Sequence, residues 1–213
     1  MNLLTDSILV LLILASFLLL SSSRLSNCIK TVALQGMMVG VLPLAANDSL
    51  TCRVTAIALV IAGMKGIVFP YMLFRTLRES TTIKELKPYV GYTASMFAGV
   101  VSLVASFWLD SRLHLPVAAS SRLVVPVAFS MMLTGIFLIV GRRTAVNQVI
   151  GYLVMENGIY TFGLAIVRDV PLLVELGVLM DMFMAVFVMG IAIYRINREF
   201  DHIDSDQLNT LKG

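Results

Sequence analysis

Long apolar runs separated by short polar segments dominate this chain. Seven runs are each close to the roughly 20 residues that a helix needs to cross a bilayer core. They cover residues 7–23, 31–47, 54–74, 89–109, 123–140, 144–167 and 171–194. The pattern predicts an all-α polytopic membrane protein with about seven transmembrane helices.

A single membrane domain over residues 1–213 accounts for this pattern. It would contain five helices in 1–140, a helix pair in 141–195 and a polar tail in 196–213. The composition agrees, because 58% hydrophobic and 14% charged residues exceed what the core of a soluble domain needs. The basic pI of about 9.0 does not indicate nucleic-acid binding, since the basic residues lie in short loops that set topology.

The positions of the basic residues predict the orientation. Eleven Lys and Arg residues lie in the tail and in the loops on its side of the membrane, against four on the other side. The positive-inside rule then places the N-terminus outside and the C-terminus in the cytoplasm. A cleaved signal peptide is not expected, because the segment before the first run has no Lys or Arg and contains Asp6.

The third apolar run carries a lysine near mid-membrane. Lys65 lies 12 residues after Arg53 and 10 before Arg75, so its stem cannot easily reach either interface. Pro70 cannot donate a hydrogen bond to the carbonyl of Gly66, which predicts a kink beside the lysine. We expect Lys65 to be a buried functional or paired lysine.

The last two apolar runs each carry an acid near the middle. Glu156 lies 13 residues beyond Arg143, and Asp181 lies 14 residues before Arg195. Both acids are therefore predicted at roughly 20 Å from the same interface. Charges at this depth are costly and usually functional. Glu175 lies nearer the outer end and could serve access or subunit contact.

Polar side chains recur every four residues along the sixth run and share a slowly drifting face. They are Gln148, Tyr152, Glu156 and Tyr160, and Asn157 lies beside them. Three glycines on the same run allow a neighbouring helix to approach closely: Gly151, Gly158 and Gly163. The stripe suits a proton path in which hydroxyls and waters relay protons and the acid stores one. The alternative is a structural hydrogen-bond cluster between helices.

The remaining residues do not indicate a redox centre or a hydrolytic active site. The cysteines are Cys28 and Cys52, the histidines are His114 and His202, and there is no CxxC, HExxH or P-loop motif. No catalytic residue, cofactor site or metal site is therefore expected on this chain.

Three C-terminal segments resemble hydrogenase-4 component E, the membrane subunit of formate hydrogenlyase-type group 4 NiFe hydrogenases. They are GYLVMENG (151–158), LVELG (173–177) followed by Asp181, and LNTLKG (208–213). The last spans also resemble the K-type subunit of complex I, and more distantly a membrane subunit of Mrp antiporters. The K-type glutamate comes about one turn before Glu156, where this chain has Leu153, and the second K-type glutamate falls closest to Asp181.

The resemblance implies a membrane-arm subunit of a bacterial or archaeal cytoplasmic membrane that contributes to proton or ion translocation coupled to hydrogen evolution. Its partners would be a hydrogenase-proximal subunit, an antiporter-like subunit and the peripheral hydrogenase arm. The NiFe centre and iron–sulfur clusters would lie on those partners. Lys65, Glu156 and Asp181 would form the path. The alternatives are a subunit of an Mrp-like cation/proton antiporter and a structural spacer without a direct ion path.

Overall fold

The computed structural model describes residues 3–46, 52–78, 90–113, 121–142 and 144–166, together with Gly177 and Gly190. The elements in this part of the chain are helices: α1 (Leu3–Ser21), α2 (Leu25–Ala46), α3 (Cys52–Gly63), a π-helical segment (Met64–Val68), α4 (Phe69–Arg78), α5 (Tyr92–Arg112), α6 (Val124–Gly141) and α7 (Ala145–Ile166).

Six spans in the described ranges are long and apolar enough to cross a membrane. The third is composite, because α3, the π-helical segment and α4 follow one another without a break. The second begins at Leu25 rather than at 31, since polar residues such as Asn27 are tolerated in a first helical turn. The seventh predicted run, 171–194, lies outside the described residues except for Gly177 and Gly190, which are helical. The count of seven and the orientation of the termini stay predictions.

Helices α6 and α7 are packed so closely that glycine is required where they meet. A Cβ added to Gly135 would lie 2.5 Å from the backbone nitrogen of Met155. A Cβ on Gly151 would lie 2.8 Å from the Gly135 carbonyl oxygen, and one on Gly158 would lie 2.8 Å from the Ala128 carbonyl oxygen. The close approach predicted at Gly151 and Gly158 is therefore present, and it fixes α7 against α6.

Helix α2 lies between the third span and α7 and contacts α1, α3, α4 and α7. Two clusters of buried apolar side chains lie along it; the first includes Leu20, Phe69 and Leu153, and the second includes Leu12, Met131 and Tyr160. On α2 the first cluster reaches Val32 and the second resumes at Val39. On α7 the first reaches Val154 and the second resumes at Tyr160. Between these limits lie the buried polar residues Gln35 on α2 and Glu156 and Asn157 on α7.

The outer surface is apolar, as a lipid-facing surface must be. Large exposed hydrophobic side chains occur along several helices, and α5 is the least buried of the six spans. Its exposed residues include Phe97, Val104 and Trp108. The described bundle is therefore apolar both on much of its outer surface and in most of its interior.

Candidate functional site

A buried ion pair lies at the centre of the bundle. The Lys65 Nζ donates to Glu156 Oε1 at 2.6 Å, and the two side chains are only 3% and 1% exposed. Removing two charges from solvent costs several kcal/mol per ion, and their attraction does little better than offset that cost. Such a pair is therefore weak evidence for stability. In a membrane protein it marks a candidate functional site.

The π-helical segment positions Lys65. The Phe69 N–H donates to the Met64 carbonyl, five residues back instead of four. Pro70 follows and has no N–H to donate. The structure has a π-helical segment where the sequence predicts a kink, and such segments often occur at functional sites.

A glycine on α2 allows Lys65 to reach α7. A Cβ on Gly36 would lie 2.6 Å from the Lys65 Cβ and 3.1 Å from its carbonyl oxygen. One turn further along α2, a Cβ on Gly40 would lie 2.7 Å from the backbone nitrogen of Ala62. Because α2 has no side chain at these positions, the third span comes close to its backbone and the lysine stem can approach Glu156.

One face of α7 surrounds the ammonium group. Besides Glu156, the Asn157 Oδ1 accepts a hydrogen bond from Lys65 Nζ at 3.3 Å. The centroid of the Tyr160 ring lies 5.9 Å from the same nitrogen, within the range of a cation–π interaction. At about 100° per residue, these three α7 residues lie within a sector of roughly 100°. The ammonium therefore has a carboxylate, an amide oxygen and an aromatic ring as neighbours.

Burial along the predicted polar stripe changes steadily. Gln148 is exposed, Tyr152 is half-buried against the first apolar cluster, and Glu156 and Tyr160 are buried. Each four-residue step turns the face by about 40°. Gln148 is therefore about 80° from Glu156, and the structure does not place it beside the ion pair.

The acids predicted on the seventh run, Glu175 and Asp181, lie outside the described residues. Gly177 lies between them in sequence and is buried. A Cβ added to Gly177 would lie 3.6 Å from the Tyr160 ring, so this point of the chain contacts the same face of α7 as the lysine.

A second buried polar contact joins α1 and α2. Gln35 is fully buried, and its Nε2 donates to Ser16 Oγ at 3.0 Å and to the Leu12 carbonyl at 3.4 Å. In the sequence, Gln35 is a single amide in an apolar run, and it is not among the residues predicted for the proton path. Gln35 immediately precedes Gly36, so this contact fixes α2 next to the position where Lys65 passes.

Arg142 is a buried residue, although its place in the sequence indicates only a basic loop residue. It is 3% exposed, and its guanidinium donates to the carbonyls of Leu19 at 3.2 Å and Ser22 at 3.5 Å. These carbonyls lie at the C-terminal end of α1, where the last turn lacks helical donors and a cation is favourable. Arg142 therefore connects the end of α6 to the end of α1.

The side chains that commonly bind metals are scattered in the bundle. Over the described ranges, no group of three or more His, Cys, Asp or Glu side chains could hold a metal ion. Cys28 is buried and Cys52 is exposed, and both are free thiols.

These features define a multi-pass helical membrane protein with a charged pair buried at its centre. Residues 123–213 match the family model for NADH-ubiquinone/plastoquinone oxidoreductase chain 4L. Hydrogenase-4 component E of Escherichia coli is 31% identical over 119 residues, which are 56% of this chain and 55% of that protein. The chain is thus a homologue of hydrogenase-4 component E, and the resemblance is confirmed over about half of each protein.

A relative that matches over most of its length has no assigned function. An uncharacterised protein of Mycobacterium tuberculosis is 28% identical over 203 residues, covering 94% of this chain and 92% of that protein. No solved structure matches the chain with statistical significance. The homology therefore supports a membrane subunit of a hydrogenase or complex I-like assembly.

Proposed function

We propose that this chain is a membrane-arm subunit of a group 4 NiFe hydrogenase of the formate hydrogenlyase type, where it contributes to proton translocation coupled to hydrogen evolution. The homology to hydrogenase-4 component E and the chain 4L match support the type of assembly. The observation that carries the proton role is the buried ion pair between Lys65 and Glu156.

In this proposal Glu156 is the proton carrier and Lys65 responds to its charge. A proton that reaches the Glu156 carboxylate converts it to a neutral acid and removes the attraction to the ammonium. When the proton leaves toward the other side, the carboxylate and the ion pair re-form. One proton crosses per cycle, and no bond other than O–H forms or breaks.

The rest of the proposed path follows α7 and the seventh predicted helix. At the end of α7 nearer Arg143, the exposed Gln148 would hydrogen-bond the water that delivers protons, and the hydroxyl of the half-buried Tyr152 would relay them. Asp181, which lies outside the described residues, would be the second proton carrier, because the sequence predicts it at the same depth as Glu156. Glu175 would lie at the outer exit, and the Tyr160 hydroxyl was predicted to serve as a relay.

The proposed partners supply the energy and the redox chemistry. They are a hydrogenase-proximal subunit, an antiporter-like subunit and a peripheral arm that carries the NiFe centre and iron–sulfur clusters. The rival proposal is a subunit of an Mrp-like antiporter. Purification of the complex through this chain separates the two, because the hydrogenase should bring nickel and iron–sulfur absorption with it and the antiporter should not.

A substitution series at Glu156 tests the proton role. Glu156→Asp keeps the acid but withdraws it by about one methylene, whereas Glu156→Gln keeps the size but cannot exchange a proton at neutral pH. We expect protons translocated per hydrogen evolved to rank as wild type above Asp above Gln. The measurement uses the assembled complex in sealed vesicles, with proton uptake and hydrogen evolution recorded together.

A structural spacer subunit predicts a different result, in which the ion pair only holds together two parts of the chain that are 91 positions apart in sequence. Because Glu156→Gln takes the carboxylate away from the buried Lys65 ammonium, a structural role predicts less assembled complex but an unchanged ratio of protons to hydrogen in the complex that does assemble. Leu153→Gln is the matched control, since it buries the same amide one turn earlier. A Glu156→Gln complex that translocates at the wild-type ratio removes this residue from the path.

A further inference from the structure

We propose that the carboxamide oxygen of Gln35 binds an internal water molecule between α1 and α2. The inference is independent of the proposed proton path, and it holds whether or not this chain conducts protons. It gives the two amide atoms of Gln35 different roles. The nitrogen joins α2 to α1, and the oxygen binds the water.

The carboxamide of Gln35 is enclosed by protein. Gln35 is 0% exposed, and its hydrogen-bond partner Ser16 is 3% exposed. Gln35 Nε2 has two acceptors, whereas Gln35 Oε1 has no hydrogen-bond donor among the residues that the structure describes. A buried carbonyl oxygen without a donor is costly, and most such atoms in native proteins have a protein or water partner. A donor for this oxygen is therefore expected.

Exchanging the two amide atoms of Gln35 does not remove this need. The nitrogen lies 3.4 Å from the Leu12 carbonyl oxygen, which can only accept a hydrogen bond. If the amide oxygen stood in that place, two acceptors would face each other. The contacts with α1 therefore require the orientation in which Oε1 has no described donor.

The neighbouring hydroxyl groups are already in use. The Ser16 hydroxyl donates to the Leu12 carbonyl at 3.0 Å, and a hydroxyl has only one proton to donate. Thr31, one turn before Gln35 on α2, donates within its own helix to the Asn27 carbonyl at 2.9 Å. Neither hydroxyl is thus available to Gln35 Oε1.

The enclosure and the polarity of the site select water as the ligand. A position with no solvent exposure admits only a small molecule, and an amide oxygen binds a hydrogen-bond donor. Buried waters in proteins typically bind to polar atoms of this kind. Ser16 Oγ accepts from Gln35 Nε2 and keeps a second acceptor lone pair. The two protons of one water therefore match two acceptors, Gln35 Oε1 and Ser16 Oγ.

The proposed water lies where α2 borders the third span. Gln35 lies between Val32 of the first apolar cluster and Val39 of the second. Gly36 follows it, and a Cβ on Gly36 would lie 2.6 Å from the Lys65 Cβ. A water that fixes the Gln35 carboxamide against α1 therefore stabilises α2 beside this close approach.

A cryo-EM map of the purified complex, at a resolution that shows ordered waters, tests the proposal directly. We expect non-protein density at about 2.7–3.0 Å from Gln35 Oε1. A protein group of any subunit that donates to this oxygen would overturn the proposal. The absence of density there, in a map that shows other waters, would do the same. Density with several oxygen ligands at about 2.3–2.6 Å would identify a hard metal cation and would also overturn it.

Substitutions on α2 assign the density to Oε1. Gln35→Met removes both amide atoms at similar length, so the density should disappear. Thr31→Val is the matched control, because it removes a hydroxyl that is bonded within its own helix, and it should keep the density. Density that persists in Gln35→Met would contradict the assignment.

Thermal unfolding of the same variants gives an independent result. If Oε1 binds water, Gln35→Met loses the hydrogen bonds of both amide atoms, and its midpoint should fall further than that of Ser16→Ala. If Oε1 had no partner, its removal would offset the loss of the nitrogen's hydrogen bonds. A Gln35→Met midpoint equal to or above that of Ser16→Ala therefore contradicts the proposal. If Gln35→Met does not assemble, the map of the wild-type complex decides.

Discussion

Gly36 should be among the least replaceable small residues of the chain, although it carries no chemistry. In Gly36→Ala the new Cβ would lie 2.6 Å from the Lys65 Cβ. Non-bonded carbon atoms prefer about 3.5–4.0 Å, so α2 and the π-helical segment must separate by roughly 1 Å. The contacting atom is next to the backbone, so a rotamer change cannot relieve the contact.

The magnitude follows from the two contacts that the displacement affects. Overpacking by one methyl group costs about 1–3 kcal/mol in a well-packed core. If the displacement is passed to the ammonium, the 2.6 Å bond to Glu156 lengthens to about 3.6 Å, beyond hydrogen-bond range. We therefore expect Gly36→Ala to lower stability by about 1–3 kcal/mol and to reduce protons translocated per hydrogen evolved.

Two other glycines of the third span provide controls for Gly36→Ala. A Cβ on Gly63 meets nothing within 4 Å, so Gly63→Ala should be neutral or stabilising by up to about 1 kcal/mol. A Cβ on Gly66 meets the flexible side chain of Met37, which can move, so Gly66→Ala should fall in between. Thermal unfolding in detergent and the translocation ratio in vesicles are the assays. A Gly36→Ala protein as stable and as coupled as Gly63→Ala would refute the reasoning.

Two further predictions concern the ends of the helices. Arg142→Met should lower stability by about 1–3 kcal/mol, because the Leu19 and Ser22 carbonyls lose buried donors; thermal unfolding measures this, and an unchanged midpoint would show that Arg142 does not stabilise α1. Reporter fusions should place the N-terminus outside and the C-terminus in the cytoplasm; both reporters on one side would exclude seven spans.

The central charges could be located from the sequence because their depth is a matter of counting. Lys65 lies far from the flanking arginines, and Glu156 lies 13 residues beyond Arg143, so both were expected at mid-membrane. Their depths alone do not predict that Lys65 and Glu156 contact each other. The ion pair forms because Gly36 on α2 leaves room for the lysine stem. The close approach of Gly36 to Lys65 is visible only in the tertiary structure.

The local geometry was predictable in part. Pro70 indicated a disturbance beside Lys65, but the choice of a π-bulge depends on how the chain re-forms its hydrogen bonds. Gln148 was grouped with Glu156 by its four-residue spacing, yet two steps of about 40° carry it to an exposed position. Arg142 was expected to be a loop charge because its partners on α1 are about 120 residues away in sequence.

The most direct test of the central account is a double-mutant cycle on the ion pair. Protons translocated per hydrogen evolved are measured for Lys65→Met, Glu156→Gln and the double variant, each as an assembled complex in sealed vesicles. If the two residues act as one unit, each single substitution should remove most of the translocation. The double variant should then translocate no fewer protons per hydrogen evolved than the single variant with the lower ratio. Wild-type translocation in either single variant, or losses that multiply independently, would contradict the account.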